Sequence, residues 1–503
     1  MIALPLAPAP VAVPSTPPSA PGIPVNDMHS ELSGTTMRRI VPVTSTADVQ
    51  QAVRDAARDG LPVAIAGGRH SMGGQQFVTD GVLIDTRTLN KPVSFDPVRG
   101  TITVQAGMQW PELMQYLDDE PRNRVDDAAG TDHRWGIRQK QTGADRLSIG
   151  GAIASNIHGR GLLMKPFVDD LESFTLVDGD GVAKHVSRTE HADLFRHVVG
   201  GYGLFGVVTE ATLRLSERHQ IERTVSVIGV DDLMPEMQKR IDSGAEYGDY
   251  QFAIDSNSPD FLQRGVLSTY APVKEPTAIP ADQKHISGDQ WTKLMHLAHT
   301  DKTTAFNLYQ QHYLSTTGQR YWSDSHQMAN YTDGYHVGVD KATGAKHKNT
   351  EMISELYVPR ERLADFMKAA AVGLKERDAN VVYGTVRLIK QDDESALAWA
   401  RKPWASVIFN LHTEHTPEGI SKSAEQFRHL IDLATDRGGS YYLTYHRWAD
   451  KDQVQRAHPA LAGVLAKKLE YDPQERFQSD WYRHYREMFG PTSDAVAGAA
   501  EVT

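Results

Sequence analysis

Two short glycine-rich turns are the first residues that could do chemistry. Leu61-Pro62-Val63-Ala64-Ile65-Ala66 reads as a buried strand, and it runs directly into Gly67-Gly68-Arg69-His70-Ser71-Met72-Gly73-Gly74. Glycines leave backbone amides open, and successive open amides form a nest for anions, of which a diphosphate is the usual large example. The spacing is not G-x-G-x-x-G and no helix follows at once, so this is not a Rossmann turn. Alone, it is equally well an ordinary tight turn. A second small, glycine-rich segment, Ser148-Ile149-Gly150-Gly151, is expected beside a strand. Two nests of this kind could bracket one extended cofactor. A third segment, Gly200-Gly201-Tyr202-Gly203-Leu204-Phe205-Gly206, leads into a strand.

The elements that position these turns are readable in outline. Ser45-Thr46-Ala47-Asp48 predicts a capping box, with Asp48 reaching back to the Ser45 amide, and a helix that stops at Gly60. Strands are expected at Val82–Asp85, Thr101–Ala106, Phe174–Val177 and Gly206–Leu215, and a helix at Trp110–Leu117. From about residue 218 amphipathic helices (Gln290–His299, Arg360–Glu376, Ile420–Asp436) alternate with strands (Val381–Ile389, Trp404–His412). The chain then turns at Gly438-Gly439 into Ser440–His446 and ends in an aromatic helical tail. The expected class is α+β.

Bulk properties remove several alternatives. A chain of 503 residues requires more than one packed unit. Lys and Arg total 53 against 64 Asp and Glu, with no basic cluster, so nucleic acid is not an expected partner. There are no cysteines, which excludes disulfides, thiolate metal sites and cysteine nucleophiles. His412 and His415 lack a third ligand at a fitting spacing, so no metal is expected. No apolar run is long enough to span a membrane. The proline-rich start lacks a basic n-region, so residues 1 to 25 are expected to be disordered or polyproline-like and the location cytoplasmic. The oligomeric state is not readable.

Ala66–Ser71, Leu147–Gly159 and Gly200–Thr209, in this order, resemble the FAD-binding domain of the vanillyl-alcohol oxidase and para-cresol methylhydroxylase (PCMH) superfamily. The lead-in Val25–Ser30 is similar to that of bacterial members. The resemblance covers roughly residues 37–217. It implies a two-part PCMH-type FAD-binding domain there, after a lead segment 1–36. A second α+β substrate or cap domain is then expected at 218–437, and a C-terminal segment 438–503 that returns to the flavin. It implies FAD as cofactor, contacted by Gly67, Gly68, Arg69, His70, Ser71, Met72, Gly143, Ser148, Gly150, Gly151, Ser155, Asn156, His158, Gly206 and Val208. His70 stands where many members carry an 8α-N-histidyl link to the flavin; the alternative is an unbonded histidine lining the site. For His158, a supporting role and a catalytic one stand level.

The rest of the site is expected from the second domain. Glu351–Pro359 resembles a strand of sugar-oxidising members, and Val386-Arg387-Leu388-Ile389 one that sets an arginine against the substrate. Those enzymes carry glutamate where this chain has Thr385. Arg387 is the expected catalytic cation, able to stabilise negative charge near the flavin or bind substrate oxygens; a structural ion pair is the competing reading. Tyr445 or His446 is the expected base, against a packed aromatic strand. Trp322, His326, Tyr331, Tyr335 and His336 form a polar-aromatic run that reads equally as the lining of a pocket for a ring-bearing or glycosidic substrate and as a loop with ordinary packing. The implied activity is hydride transfer from a CH–OH group of a small polar, carbohydrate-like substrate to flavin N5, with oxygen or another acceptor downstream. An amine or secondary-metabolite ring as substrate, and a flavin-binding protein without turnover, are the alternatives.

Overall fold

Ser45 starts the first helix. Its hydroxyl accepts from the Asp48 amide at 3.1 Å, and the helix Thr46–Arg58 buries Val49, Ala52, Val53 and Ala56 along one stripe. The reciprocal half of the predicted box differs: the Asp48 carboxylate takes the Thr44 amide, not that of Ser45. This helix lies between two sheets. One is a three-stranded parallel sheet in the order Arg39–Pro42, Val82–Asp85, Val63–Ala66. The other is a five-stranded antiparallel sheet in the order Ala183–Ser187, Leu171–Val177, Val207–Arg214, Thr101–Gln105, Pro92–Asp96. The protein is seen here as a computed structural model, which describes residues 22–125, 133–329 and 334–490. The expectation for residues 1–21 lies outside these.

The second half is built on an eight-stranded antiparallel sheet. Its order is Arg320–Trp322, Gln220–Gly229, Arg264–Pro272, Tyr247–Phe252, Val381–Ile389, Trp404–Glu414, Asn349–Pro359, Ser440–Tyr441. The helices Val230–Asp242, Leu363–Glu376 and Pro417–Thr435 pack on it, the second through Phe366, Met367, Ala370 and Leu374. A second trio, Gly288–Thr300, Lys302–Leu314 and Tyr335–Thr343, packs together and also onto strands of this sheet. One continuous apolar cluster joins both halves, from Phe95 and Phe174 through Val386 and Leu430 to Trp481.

Two sequence expectations change here. Ser148-Ile149-Gly150-Gly151 does not adjoin a strand in the way expected: Ser148 caps the helix Ile149–Ser155, and both glycines lie in its first turn. The C-terminal return is a strand only at Ser440–Tyr441, and residues 442–446 turn. The turn is pinned to the first glycine segment, because the Met72 amide donates to the Thr444 carbonyl at 3.1 Å.

Candidate functional site

The strand Val63–Ala66 delivers the first glycine turn to the edge of a large cavity. Among the described residues, the amides of Gly67, Gly68, Arg69 and Ser71 donate no hydrogen bond within the chain. Arg69 is left-handed at φ 60°, so the run of amides bends into a concave nest. The two glycines are required by close approach. A Cβ on Gly67 would lie 2.0 Å from Ser148 Oγ, and one on Gly68 would lie 2.5 Å from the Arg146 carbonyl. The two predicted turns therefore touch. They are not equivalent, since Gly150 N–H is spent on the Ala106 carbonyl at 2.7 Å and Gly151 N–H on Ser148 Oγ at 3.3 Å. At Gly206, φ is 143° and a Cβ would lie 2.7 Å from the Val177 carbonyl, so only glycine fits the entry to the strand Val207–Arg214.

The cavity has a volume of about 1190 Å³. That exceeds the roughly 300–1,000 Å³ of an ordinary small-ligand site and leaves room for a cofactor beside a substrate. Every expected site residue lines it except Asn156 and His446. Asn156 is fully buried and consumed by structure: its amide donates to Asp392 at 2.8 Å, and its oxygen accepts from the Val168 amide at 2.9 Å. The His446 ring stacks on Trp448 with centroids 4.1 Å apart, and burial together with Arg447 lowers its pKa to about 3. Its placement does not support a role as base. Of the aromatic run, His326, Tyr335 and His336 line the cavity, Trp322 does not, and Tyr331 lies outside the described residues.

His158 makes a short polar contact in the cavity wall. Its Nε2 lies 2.5 Å from Glu355 Oε1, and its Nδ1 lies 3.0 Å from the Gly159 carbonyl. A carbonyl only accepts, so Nδ1 carries a hydrogen. The Nε2–Oε1 contact then needs one more proton, and the pair is neutral overall wherever that proton sits. Glu355 also accepts from Ser406 Oγ at 2.7 Å and from the Tyr445 hydroxyl at 3.2 Å. Burial pushes the Glu355 carboxyl up, but the charge and hydrogen bond of His158, the Ser406 hydroxyl and the Arg387 charge outweigh it, and its pKa is lowered. Burial and Glu355 raise the Tyr445 phenol well above its ordinary value, and its hydroxyl donates to Glu355. The sequence reading passed over Glu355, although it sits in the strand already singled out.

Arg387 is 7% exposed and lines the cavity, with Tyr383 four residues earlier on the same strand face. Val386 and Leu388 point the other way, into the main apolar cluster, as the alternation predicted. Arg387 Nε is buried with no hydrogen-bond partner among the described residues, so the structural ion pair weighed for it is not seen at that atom. His70 sits at the opposite wall. Its Nε2 lies 3.0 Å from the Arg146 carbonyl and so carries the hydrogen, while its Nδ1 faces His29 Nε2 at 2.8 Å. Burial and the His70 charge lower the His29 pKa to about 3.

An extended nest, a cavity of this size and an orphaned guanidinium nitrogen fit a large anionic cofactor. Known proteins give the same direction. A family model described as an FAD binding domain matches residues 37–125. An uncharacterised oxidoreductase, ORF5 in the fasciation locus of Rhodococcoides fascians, is 33% identical over 186 residues, 37% of this chain and 38% of that protein. The mitochondrial L-galactono-1,4-lactone dehydrogenase 2 of Oryza sativa subsp. japonica is 23% identical over 460 residues, 81% of this chain and 72% of that protein. The D-2-hydroxyglutarate dehydrogenase of Xanthomonas citri pv. viticola is 31% identical over 182 residues, 34% of this chain and 35% of that protein. The chain thus spans well under two thirds of the first and third of these relatives. No helix among the described residues is long and apolar enough to cross a membrane.

Proposed function

Because this chain belongs to the vanillyl-alcohol oxidase and PCMH-type superfamily of FAD oxidoreductases, we propose that it oxidises a CH–OH group of a small polar substrate. One observation carries the reading. One cavity joins a nest of amides and an arginine Nε, both without a hydrogen-bond partner among the described residues, to a carboxylate–imidazole pair. The first turn, Gly67 to Met72, would hold the diphosphate. Residues 37–217 would form the FAD-binding domain, 218–437 the cap, and 438–503 the returning segment.

Bound FAD supplies the hydride acceptor. The chain supplies the rest. Glu355, kept ionised by His158 and Ser406, receives the hydroxyl proton, directly or through the Tyr445 hydroxyl that already donates to it. Arg387 opposes negative charge as it develops, and its Nε has no competing partner among the described residues. Tyr309, Tyr313 and Tyr383, which line the cavity, exclude water. The electron acceptor that follows is oxygen or another acceptor.

His70 is the proposed point of covalent attachment. Its Nε2 donates to the Arg146 carbonyl, so Nδ1 carries the lone pair, which faces His29 Nε2 at 2.8 Å in a contact that the link would replace. Denatured protein is then expected to stay yellow and fluoresce on a gel, while His70→Ala releases its flavin into acid supernatant. Complete release from the wild type would refute the link. The activity itself is tested by anaerobic mixing with a panel of alcohols, lactols and amines. Bleaching of the flavin band by a CH–OH donor is expected; bleaching by amines alone would overturn the assignment.

A further inference from the structure

The roof end of the cavity holds more positive charge than its own residues balance. Arg160 and Arg223 both line it, and both guanidiniums lie against the same ring, with Cζ 5.0 and 5.1 Å from the Tyr270 centroid. Arg223 donates to the Tyr270 hydroxyl at 3.0 Å and to Thr316 Oγ1 at 2.9 Å, both neutral. Arg160 donates to the His326 carbonyl, also neutral, and its Nε is buried with no partner among the described residues. The carboxylate nearest to this pair in the ion-pair geometry is Asp249, 3.7 Å from Arg160 and beyond hydrogen-bond length. His326 packs on the same Tyr270 ring, and burial followed by the Arg160 charge lowers its pKa well below the ordinary value, so it adds no charge. Lys284, Lys293 and Asp289 sit at the exposed rim, where salt screens them.

Among the described residues, two like charges beside one phenol, with one loosely placed carboxylate, leave a single uncompensated positive charge in a poorly solvated pocket. Such an arrangement is costly unless an anion completes it. We propose that the substrate carries a carboxylate and that Arg160 and Arg223 receive it. The proposal rests on the oxidoreductase reading above and names its substrate class. A monoanion matches the single surplus charge, and the planar fork of a guanidinium matches a carboxylate.

Geometry adds a second condition. In the sheet order, the strand Gln220–Gly229 with Arg223 is three strands from Val381–Ile389 with Arg387. Three spacings of about 4.8 Å amount to roughly 14 Å. Arg223 therefore marks the end remote from Arg387, while Arg160 lies nearer to it, beside Asp249 on the strand next to Val381–Ile389. Tyr309 and Tyr313, stacked with centroids 4.2 Å apart, wall the space between, which suits a flat or apolar body.

The test uses the full-length holoprotein and two probes of one shape, benzoate and its neutral amide, benzamide. Binding is read by calorimetry and by perturbation of the flavin band. Benzoate is expected to bind roughly 10- to 100-fold tighter than benzamide, and less tightly as salt rises. Arg223→Met is expected to lose that preference with flavin content and melting temperature unchanged, and Arg223→Lys to keep part of it. Should Arg223→Met prove poorly folded, Arg160→Lys and Arg223→Lys together decide, since each keeps the charge and removes the fork. Equal binding of the two probes, no benzoate binding, or wild-type preference in Arg223→Met overturns the proposal. The calorimetric comparison does not depend on turnover, so an enzyme without CH–OH activity that still prefers benzoate would refute the earlier reading and leave this one standing.

Discussion

Glu355 and Arg387 reach one cavity from strands that are not neighbours, and each compensates for what the other lacks. The carboxylate is held ionised by His158 and Ser406, and the guanidinium lies near enough to lower its pKa further. A group whose pKa is lowered is active above that pKa and lost as pH falls through it. The acid limb of flavin reduction is therefore expected below the usual carboxylate range, and it belongs to the His158–Glu355 pair as a unit. Stopped-flow reduction across pH separates the two roles. Glu355→Gln is expected to lose that acid limb together with most of the rate. Arg387→Met is expected to keep the limb and slow reduction by about 100- to 1000-fold, with its flavin retained. Reduction of Arg387→Met at the wild-type rate would make the arginine structural. The sequence offered Arg387 through its alternation with Val386 and Leu388. It could not offer Glu355, whose partner His158 lies 197 residues away.

Among the elements, the two glycine turns were legible by residue type and their difference was not. Ser148 followed by Ile-Gly-Gly reads as a turn until the third residue is seen to be hydrogen-bonded back to the Ser148 hydroxyl, which makes it a helix start. Glycine is a poor helix former, and tertiary contact with Ala106 overrides its propensity here. Likewise Tyr441–His446 carries strand-forming residues, yet Tyr442 and Thr444 are bent away to meet Ser155. The turns also differ in what a side chain would do to them. A Cβ at Gly151 meets only Ser148 Oγ, at 3.1 Å, while one at Gly68 meets backbone. Gly151→Val is thus expected to keep its fold and melting temperature but load less flavin, because the added methyls project into the cavity. Gly68→Ala is expected to lose both. Full flavin content in Gly151→Val, measured by absorbance ratio, would show that the second segment never meets the cofactor.

Across the whole molecule, the last elements close over the first. Val63 donates to the Arg476 carbonyl at 2.7 Å and accepts from the Gln478 amide at 3.0 Å, and Phe477 is fully buried in the small core beneath Val63 and Val82. Asp480 accepts from the Thr79 amide at 2.9 Å and from its hydroxyl at 3.0 Å, before the helix Asp480–Phe489 packs Trp481 onto Tyr202 at 4.9 Å. Asp480→Ala leaves a half-buried amide unpaired, at a cost of about 1–3 kcal/mol. It is expected to lower the denaturant midpoint and to expose the flavin to solvent quenching before the roof unfolds; an unchanged midpoint would mean that the clasp carries no weight. None of this was visible in the aromatic tail as a sequence, since packing partners 401 residues apart leave no local pattern. The clasp also sets a timetable. Gln75, beside the nest, bonds the Leu443 carbonyl across 368 residues. At about 5–20 residues per second of synthesis, roughly 20–75 s separate the two on the ribosome. Through that interval the emerging nest lacks the C-terminal contacts that close over it, so flavin capture falls to the nearly finished chain.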